Sequence, residues 1–342
     1  MKSREFWDEF ADATIKRLVE PDAGDPVLVL ADANSDLNLA HALRAAGVRS
    51  GADTQLIVKP HARKGEAMNT GPILAASIKA AKYVVSIIDD GIDASQAMLD
   101  AKASGTSILY TLVTGVEDYV VRALLNVDVE KMNRLGERVC ELWEATDVCQ
   151  VTSPQGTDVS FQLRPRKCDF GNGKLDEPGK DDFYPGMQVN IAPVEETING
   201  VIVIDASDSV QGIVPNPYSF TMENGVITKV EGGSEADAMR AWLAGCNDSI
   251  IYKLCHFSLG LNPEAGISGS MIEDERKFGA VDFGFGYQNP SLGGTVGMGD
   301  YHVDIMLANP TVILDGEVLC RANEFNEKMI GFGTRFGVQA NH

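Results

Sequence analysis

The spacing of apolar runs changes near residue 146, and that change limits the fold more than any other feature of the chain. Ahead of it, four short β-rich runs stand apart: PVLVLAD (26–32), TQLIVKP (54–60), YVVSIID (83–89) and SILYTL (107–112). Helical stretches lie between them: LNLAHALRAAGVRSGA after the capping cluster Asn34-Ser35-Asp36, a run opened by Gly71-Pro72, and SQAMLDAKASG. Strands that alternate with helices build a parallel sheet, because each parallel pairing needs a crossover connection. Residues 117–146 read as helical throughout, a bridge. Beyond it the runs are short and β-rich with frequent turn signals, including FTMENGVITKV and TVILDGEVL, whose Asn-Gly and Asp-Gly pairs signal hairpins. One helix, SEADAMRAWLAG, interrupts them. The expectation is an α/β chain: a parallel-sheet α/β domain over residues 1–130 and a β-rich α+β domain over 131–342.

Composition narrows the partners. A net charge of −20, from 49 acidic against 29 basic residues, argues against nucleic acid or an anionic membrane. The six cysteines are scattered with no C-x-x-C pair, as expected of reduced thiols. The start, MKSREFWDEFADATIKRL, reads as a charged amphipathic helix without the apolar region of a signal peptide. No apolar run approaches the ~18 residues of a membrane span, so a cytoplasmic protein is expected. The first strand is followed by neither G-x-G-x-x-G nor a P-loop, and G-x-S-x-G is absent, which leaves nucleotide binding and serine hydrolysis without support.

Two of the five histidines sit in apolar, strand-like settings. His302-Val303-Asp304, in GDYHVDIML, places an imidazole and a carboxylate on one strand face. His256 lies in IIYKLCHFSLGLNP. Together, two histidines and one carboxylate fit a facial set on iron(II) or a catalytic zinc with room for water; a plain structural pairing fits the short motif equally. Cys255 adjoins His256, but strand alternation turns neighbours to opposite faces, so it is not counted as a ligand. Asp282, in GAVDFGFG, is a carboxylate among apolar residues and needs a metal, a cation or donors; Arg276 and Lys277 are the nearest cations in sequence. Glu273-Asp274-Glu275 reads as a solvated turn, and LDEPGKDD (175–182) as a charged loop from which Glu177 could reach a site. His41 and His61 are expected to be structural.

In order and spacing, YPGMQVNIAPVEETINGVIVID, VITKVEGG, LGLNPEAGISGSMIEDERKFGAVDFGFG, YHVDIML and PTVILDGEVL resemble the aminopeptidase T family, over roughly residues 150–320. Those peptidases hold two metals. Here Gln188 and His256 stand where they carry glutamates and Asp282 where they carry a histidine; the final pair, His302 and Asp304, is retained. Without the first glutamate, a mononuclear site is implied. The altered set is similar to a branch of that family, 2,5-dihydroxypyridine 5,6-dioxygenase, which uses iron(II) on two histidines and one aspartate. The resemblance places His256, His302 and Asp304 on those ligand positions. The match of Asp176 to Gly179 makes Glu177 the implied acid or base. Asp282 would then orient ligand or substrate. Ala94 and Phe183 stand where that branch has histidines, and Phe285 where it has a polar group.

The resemblance therefore implies a mononuclear non-haem iron(II) ring-cleaving dioxygenase. Its substrates would be dioxygen and a small hydroxylated N-heteroaromatic such as 2,5-dihydroxypyridine, and its assembly a homodimer or higher homo-oligomer. The alternative is a zinc or manganese hydrolase of an amide or cyclic amide, with Asp282 as a fourth ligand. Asp89 and Asp90, closing the third strand, are the N-terminal positions to inspect for a part in the pocket.

Overall fold

Four of the predicted strands pair in parallel, and a fifth joins them. The structure, a computed structural model, describes residues 2–61, 70–88, 92 and 95–336. Asp89, Asp90 and Ala94 lie outside the described residues. The first sheet runs in the order Asp53–Lys59, Pro26–Asp32, Tyr83–Ser86, Ser107–Thr111, Asp181–Tyr184, parallel throughout. Six of the seven residues of Pro26–Asp32 are buried, as befits a parallel strand covered on both faces. Asp36 caps the helix Leu37–Arg49 by accepting from the Asn38 amide. The fifth strand departs from the loop expected over 175–182, which ends at Lys180. Glu177 precedes that strand with its side chain exposed, and its carbonyl accepts from Ser107 Oγ at 2.9 Å.

The expected single helix over 117–146 is two, Glu117–Leu125 and Val129–Ala145. Asp128 breaks it by capping the second helix, its carboxylate accepting from the Lys131 amide at 3.0 Å. The chain also divides there. One compact unit is Met1–Asn126 with Asn172–Gly186; the other is Val127–Gly171 with Met187–His342. The excursion over 172–186 carries the fifth strand of the first sheet, which a single linear boundary does not anticipate.

The second unit is two antiparallel sheets. One runs Val226–Glu231, Tyr218–Glu223, Asn199–Ile204, Asp158–Gln162, Val148–Thr152, Thr311–Leu314, Glu317–Arg321, Glu324–Phe325. The other runs Gly212–Ile213, Ser207–Asp208, His302–Leu307, Val281–Gly286, Leu254–Gly260, Gln188–Ile191, Cys168–Gly171. Both predicted hairpins form, with positive φ at Asn224 and Gly225 and at Asp315 and Gly316, as tight turns of this hand require. Phe161 and Phe220 of the first sheet meet Phe257, Phe283 and Phe285 of the second at ring separations of 5.1 to 6.2 Å. Trp143, from the helix Val129–Ala145, stacks on Phe257 at 4.6 Å. Because side chains alternate, burying Phe283 and Phe285 here leaves Asp282, Gly284 and Gly286 on the opposite face. Among the described residues no helix is long and apolar enough to cross a membrane.

Candidate metal centre

Three adjacent strands carry the site. In register, Gly284 lies opposite both His256 and Asp304, Gly286 opposite His302, and Asp282 opposite Ser258. The two glycines clear the middle strand. A Cβ at Gly284 would fall 2.1 Å from Cε1 of His256, so only a glycine lets that ring lie across the strand toward Asp304.

The three predicted ligands converge on one oxygen. Oδ1 of Asp304 lies 2.8 Å from His302 Nε2 and 3.5 Å from His256 Nε2. Asp282 joins them, its Oδ2 2.8 Å from His256 Nε2. Ligands about 2.1 Å from one ion and at right angles to each other lie about 3.0 Å apart, so these spacings suit a single cation. The imidazoles face each other, ring centroids 5.2 Å apart and planes within 21°. His302 is oriented through Nδ1, 2.9 Å from the Tyr287 carbonyl, and the Asp304 amide donates to Ser209 Oγ at 2.9 Å. The ligand atoms of His256, Asp282 and Asp304 all lie within 4.8 Å of one another, and so do those of Cys255, His256 and His302. Oδ1 of Asp282 is buried and meets no hydrogen-bond donor among the described residues. A buried carboxylate oxygen without a donor is costly, and a cation would satisfy it. The donor set fits a divalent first-row ion; it does not select iron over zinc or manganese.

The charges are tightly coupled. Burial disfavours charge on His302, but the Asp304 carboxylate outweighs it, and the imidazole is pushed up to about 11. His256 moves the same way: burial opposes its charge, and the hydrogen bond and charge of Asp282 prevail. Burial lifts Asp282, Asp304 lifts it further, and it ends above the usual carboxylate range. Burial also works against charge on Asp304, yet His302 holds it below that range. A metal bound through the two Nε2 atoms would have to displace the protons these shifts favour.

Several expectations are corrected here. Asp282 pairs with His256 rather than with Arg276 or Lys277; Arg276 binds Glu275 at 2.6 Å, and Lys277 donates to the Ala308 carbonyl and Asn323. The trio 273–275 is no solvated turn. Asp274 is fully buried and accepts from Ser207 Oγ at 2.5 Å and from the Ser268 and Gly269 amides. Glu275 is pushed up to about 8 by burial, with Arg276 opposing and Asp304 and Asp282 adding to the rise. Phe285 faces the aromatic core, away from the ligands. Cys255 faces the same way as His256, because the pairing slips between Leu254 and His256 and breaks the alternation. Its sulfur lies 3.7 Å from His256 Nδ1 and 3.8 Å from His302 Nδ1.

Glu177 and Phe183 belong to the first unit, with the Phe183 ring 5.1 Å from that of Tyr110. His61 is structural, its Nδ1 2.7 Å from Asp32 Oδ2, and His41 is exposed. Sequence reasoning missed Cys255, Glu275 and Gly284. The alternation in Asp282-Phe283-Gly284-Phe285-Gly286 was the signal for the glycine, since it empties one face of a strand whose other face is aromatic.

A parallel α/β unit joined to a two-sheet β unit, with histidines and aspartates gathered on one sheet, is an aminopeptidase T-like fold. Within that class the chain belongs to the 2,5-dihydroxypyridine 5,6-dioxygenase family, whose model matches residues 11–327. It is 27% identical over 184 residues to the 2,5-dihydroxypyridine 5,6-dioxygenase of Pseudomonas putida KT2440, a stretch spanning 51% of this chain and 53% of that one, about half the length of the curated relative. The solved structure of 2,5-dihydroxypyridine dioxygenase from that organism superposes with a TM-score of 0.78 at 23% identity, covering 95% of this chain and 98% of the other. AmpT from Thermus thermophilus, an aminopeptidase T, superposes with a TM-score of 0.64 at 16% identity, covering 94% and 99%. These two likenesses establish the fold.

Proposed function

We propose that the protein is a mononuclear non-haem iron(II) dioxygenase that opens the ring of a hydroxylated N-heteroaromatic such as 2,5-dihydroxypyridine. The observation that carries this reading is the approach of His256 and His302 Nε2 to one oxygen of Asp304, at 3.5 and 2.8 Å, in a chain of this family. His256, His302 and Asp304 would hold the ion. Bound there, iron(II) supplies the redox chemistry that lets dioxygen react with an electron-rich ring. The protein's share is placement. The Tyr287 carbonyl keeps a proton on His302 Nδ1 and leaves Nε2 to the metal, while Ser209 anchors the backbone of Asp304. Asp282 orients His256 through Nε2 and offers its second oxygen to ion or substrate. Glu177 takes the proton of the substrate hydroxyl, an assignment supported by the resemblance over Asp176 to Gly179. The free state of all six cysteines accords with a reducing cytoplasm, and a homo-oligomer remains part of the proposal.

The donor-free oxygen of Asp282 favours a second reading. As a fourth ligand it would fill a position that dioxygen needs, and a zinc or manganese hydrolase of an amide or cyclic amide would result. Anaerobic reconstitution with iron(II), followed by oxygen-electrode measurement on a panel of dihydroxypyridines, separates the two. Stoichiometric oxygen uptake with loss of ring absorbance supports the dioxygenase. Turnover without oxygen on zinc or manganese supports the hydrolase.

A further inference from the structure

A neutral imidazole carries one N–H, so a histidine that gives Nε2 to a metal must keep its proton on Nδ1. That proton needs an acceptor, and the acceptor's identity fixes tautomer and ring angle. His302 has the Tyr287 carbonyl, 2.9 Å from its Nδ1. Among the described residues, the atom facing His256 Nδ1 is the sulfur of Cys255, at 3.7 Å. The slip in strand register puts the thiol on this face, and it is buried to 1% exposure. The slipped segment is pinned: Gln288 Nε2 donates to the Cys255 carbonyl at 2.6 Å while Gln288 Oε1 accepts from the Val296 amide at 3.1 Å.

We infer that Cys255 is a positioning residue whose sulfur accepts the Nδ1–H of His256 and thereby commits Nε2 to the metal. The inference rests on the metal-centre reading above. Cys255, His256 and His302 form a second group able to hold an ion, with the sulfur 3.7 and 3.8 Å from the two Nδ1 atoms, but an ion held on the Nε2 side lies away from the sulfur. The sulfur faces the Nδ1 side of His256, whereas Asp282 and Asp304 face the Nε2 side, and one cation cannot occupy both.

The test is Co(II) titration of the full chain by calorimetry and visible absorption. Cys255→Ala and the bulkier Cys255→Val remove the acceptor, and Cys255→Ser keeps one. The expected result is a Co(II) dissociation constant raised about ten- to hundredfold in the alanine and valine variants, largely restored in the serine variant. A purely structural thiol would shift the melting temperature in all three and leave the dissociation constant alone. Wild-type affinity in a folded Cys255→Ala or Cys255→Val protein overturns the inference. So does an intense sulfur-to-cobalt charge-transfer band in the wild type that vanishes in Cys255→Ser, because it would make the sulfur a ligand. A wild type that binds no Co(II) brings down the metal-centre reading itself, and the inference with it.

Discussion

A methyl group at Gly284 would overlap the His256 ring, 2.1 Å from Cε1 and 2.6 Å from Nε2. Gly284→Ala is therefore expected to weaken Co(II) or iron(II) binding by about a hundredfold or more. The overpacking should cost about 1–3 kcal/mol of stability. Metal titration beside urea unfolding checks both, and unchanged affinity would count against the geometry described. Protons give a second prediction at this scale. His302 is raised from 6.5 to about 11. A raised imidazole stabilises the metal-free fold fully below its unfolded value, and that contribution is lost as pH climbs through the folded one. The metal-free protein should thus melt at falling temperature as pH rises from about 6.5 toward about 11. Metal affinity should rise over the same range, since uptake displaces protons from both imidazoles. Melting and titration across pH check the opposed signs. The approach of His302 to Asp304 was legible as an i, i+2 pair, and His256 stood out by its apolar strand. Cys255 did not, because strict alternation turned it away and a one-residue slip brought it back.

Elements were legible where local chemistry decides them. The strands of the parallel sheet and the two hairpins follow from apolar runs and from Asn-Gly and Asp-Gly turns. The long bridge was not, because a helix interrupted by three residues keeps an apolar period on both sides, and only the Asp128 cap betrays the break. The acidic trio misled for a related reason: charge in a row reads as surface until its donors are seen. Asp274 sits in the short helix Met271–Asp274 and ties it to Ser207 and to the 268–269 backbone. Asp274→Ala leaves the buried Ser207 hydroxyl unmatched and frees the Ser268 and Gly269 amides, at a cost of about 1–3 kcal/mol. Urea unfolding measures it, and a shift under about 0.5 kcal/mol, the size of an ordinary surface change, would restore the solvated-turn reading. At the aromatic layer, Phe161→Ala removes contacts to both Phe257 and Phe283 and is expected to cost about 3–5 kcal/mol by the same measurement.

For the molecule as a whole, residues 172–186 return to the first unit from within the second, which no local signal gives. Asp181–Tyr184 pairs with Ser107–Thr111 across some seventy residues of chain, too distant for any local signal. The family match across 11–327 covers both units, and what it adds to the residues is a chemistry to test on them. All of that proposed chemistry depends on one cation held by side chains of two strands, Leu254–Gly260 and His302–Leu307. The most direct measurement is anomalous diffraction at the iron edge from anaerobically loaded crystals. One iron is predicted, within about 2.0–2.2 Å of His256 Nε2, His302 Nε2 and an oxygen of Asp304. Iron found elsewhere, or no iron in a protein that still turns over after exhaustive chelation, would contradict the account.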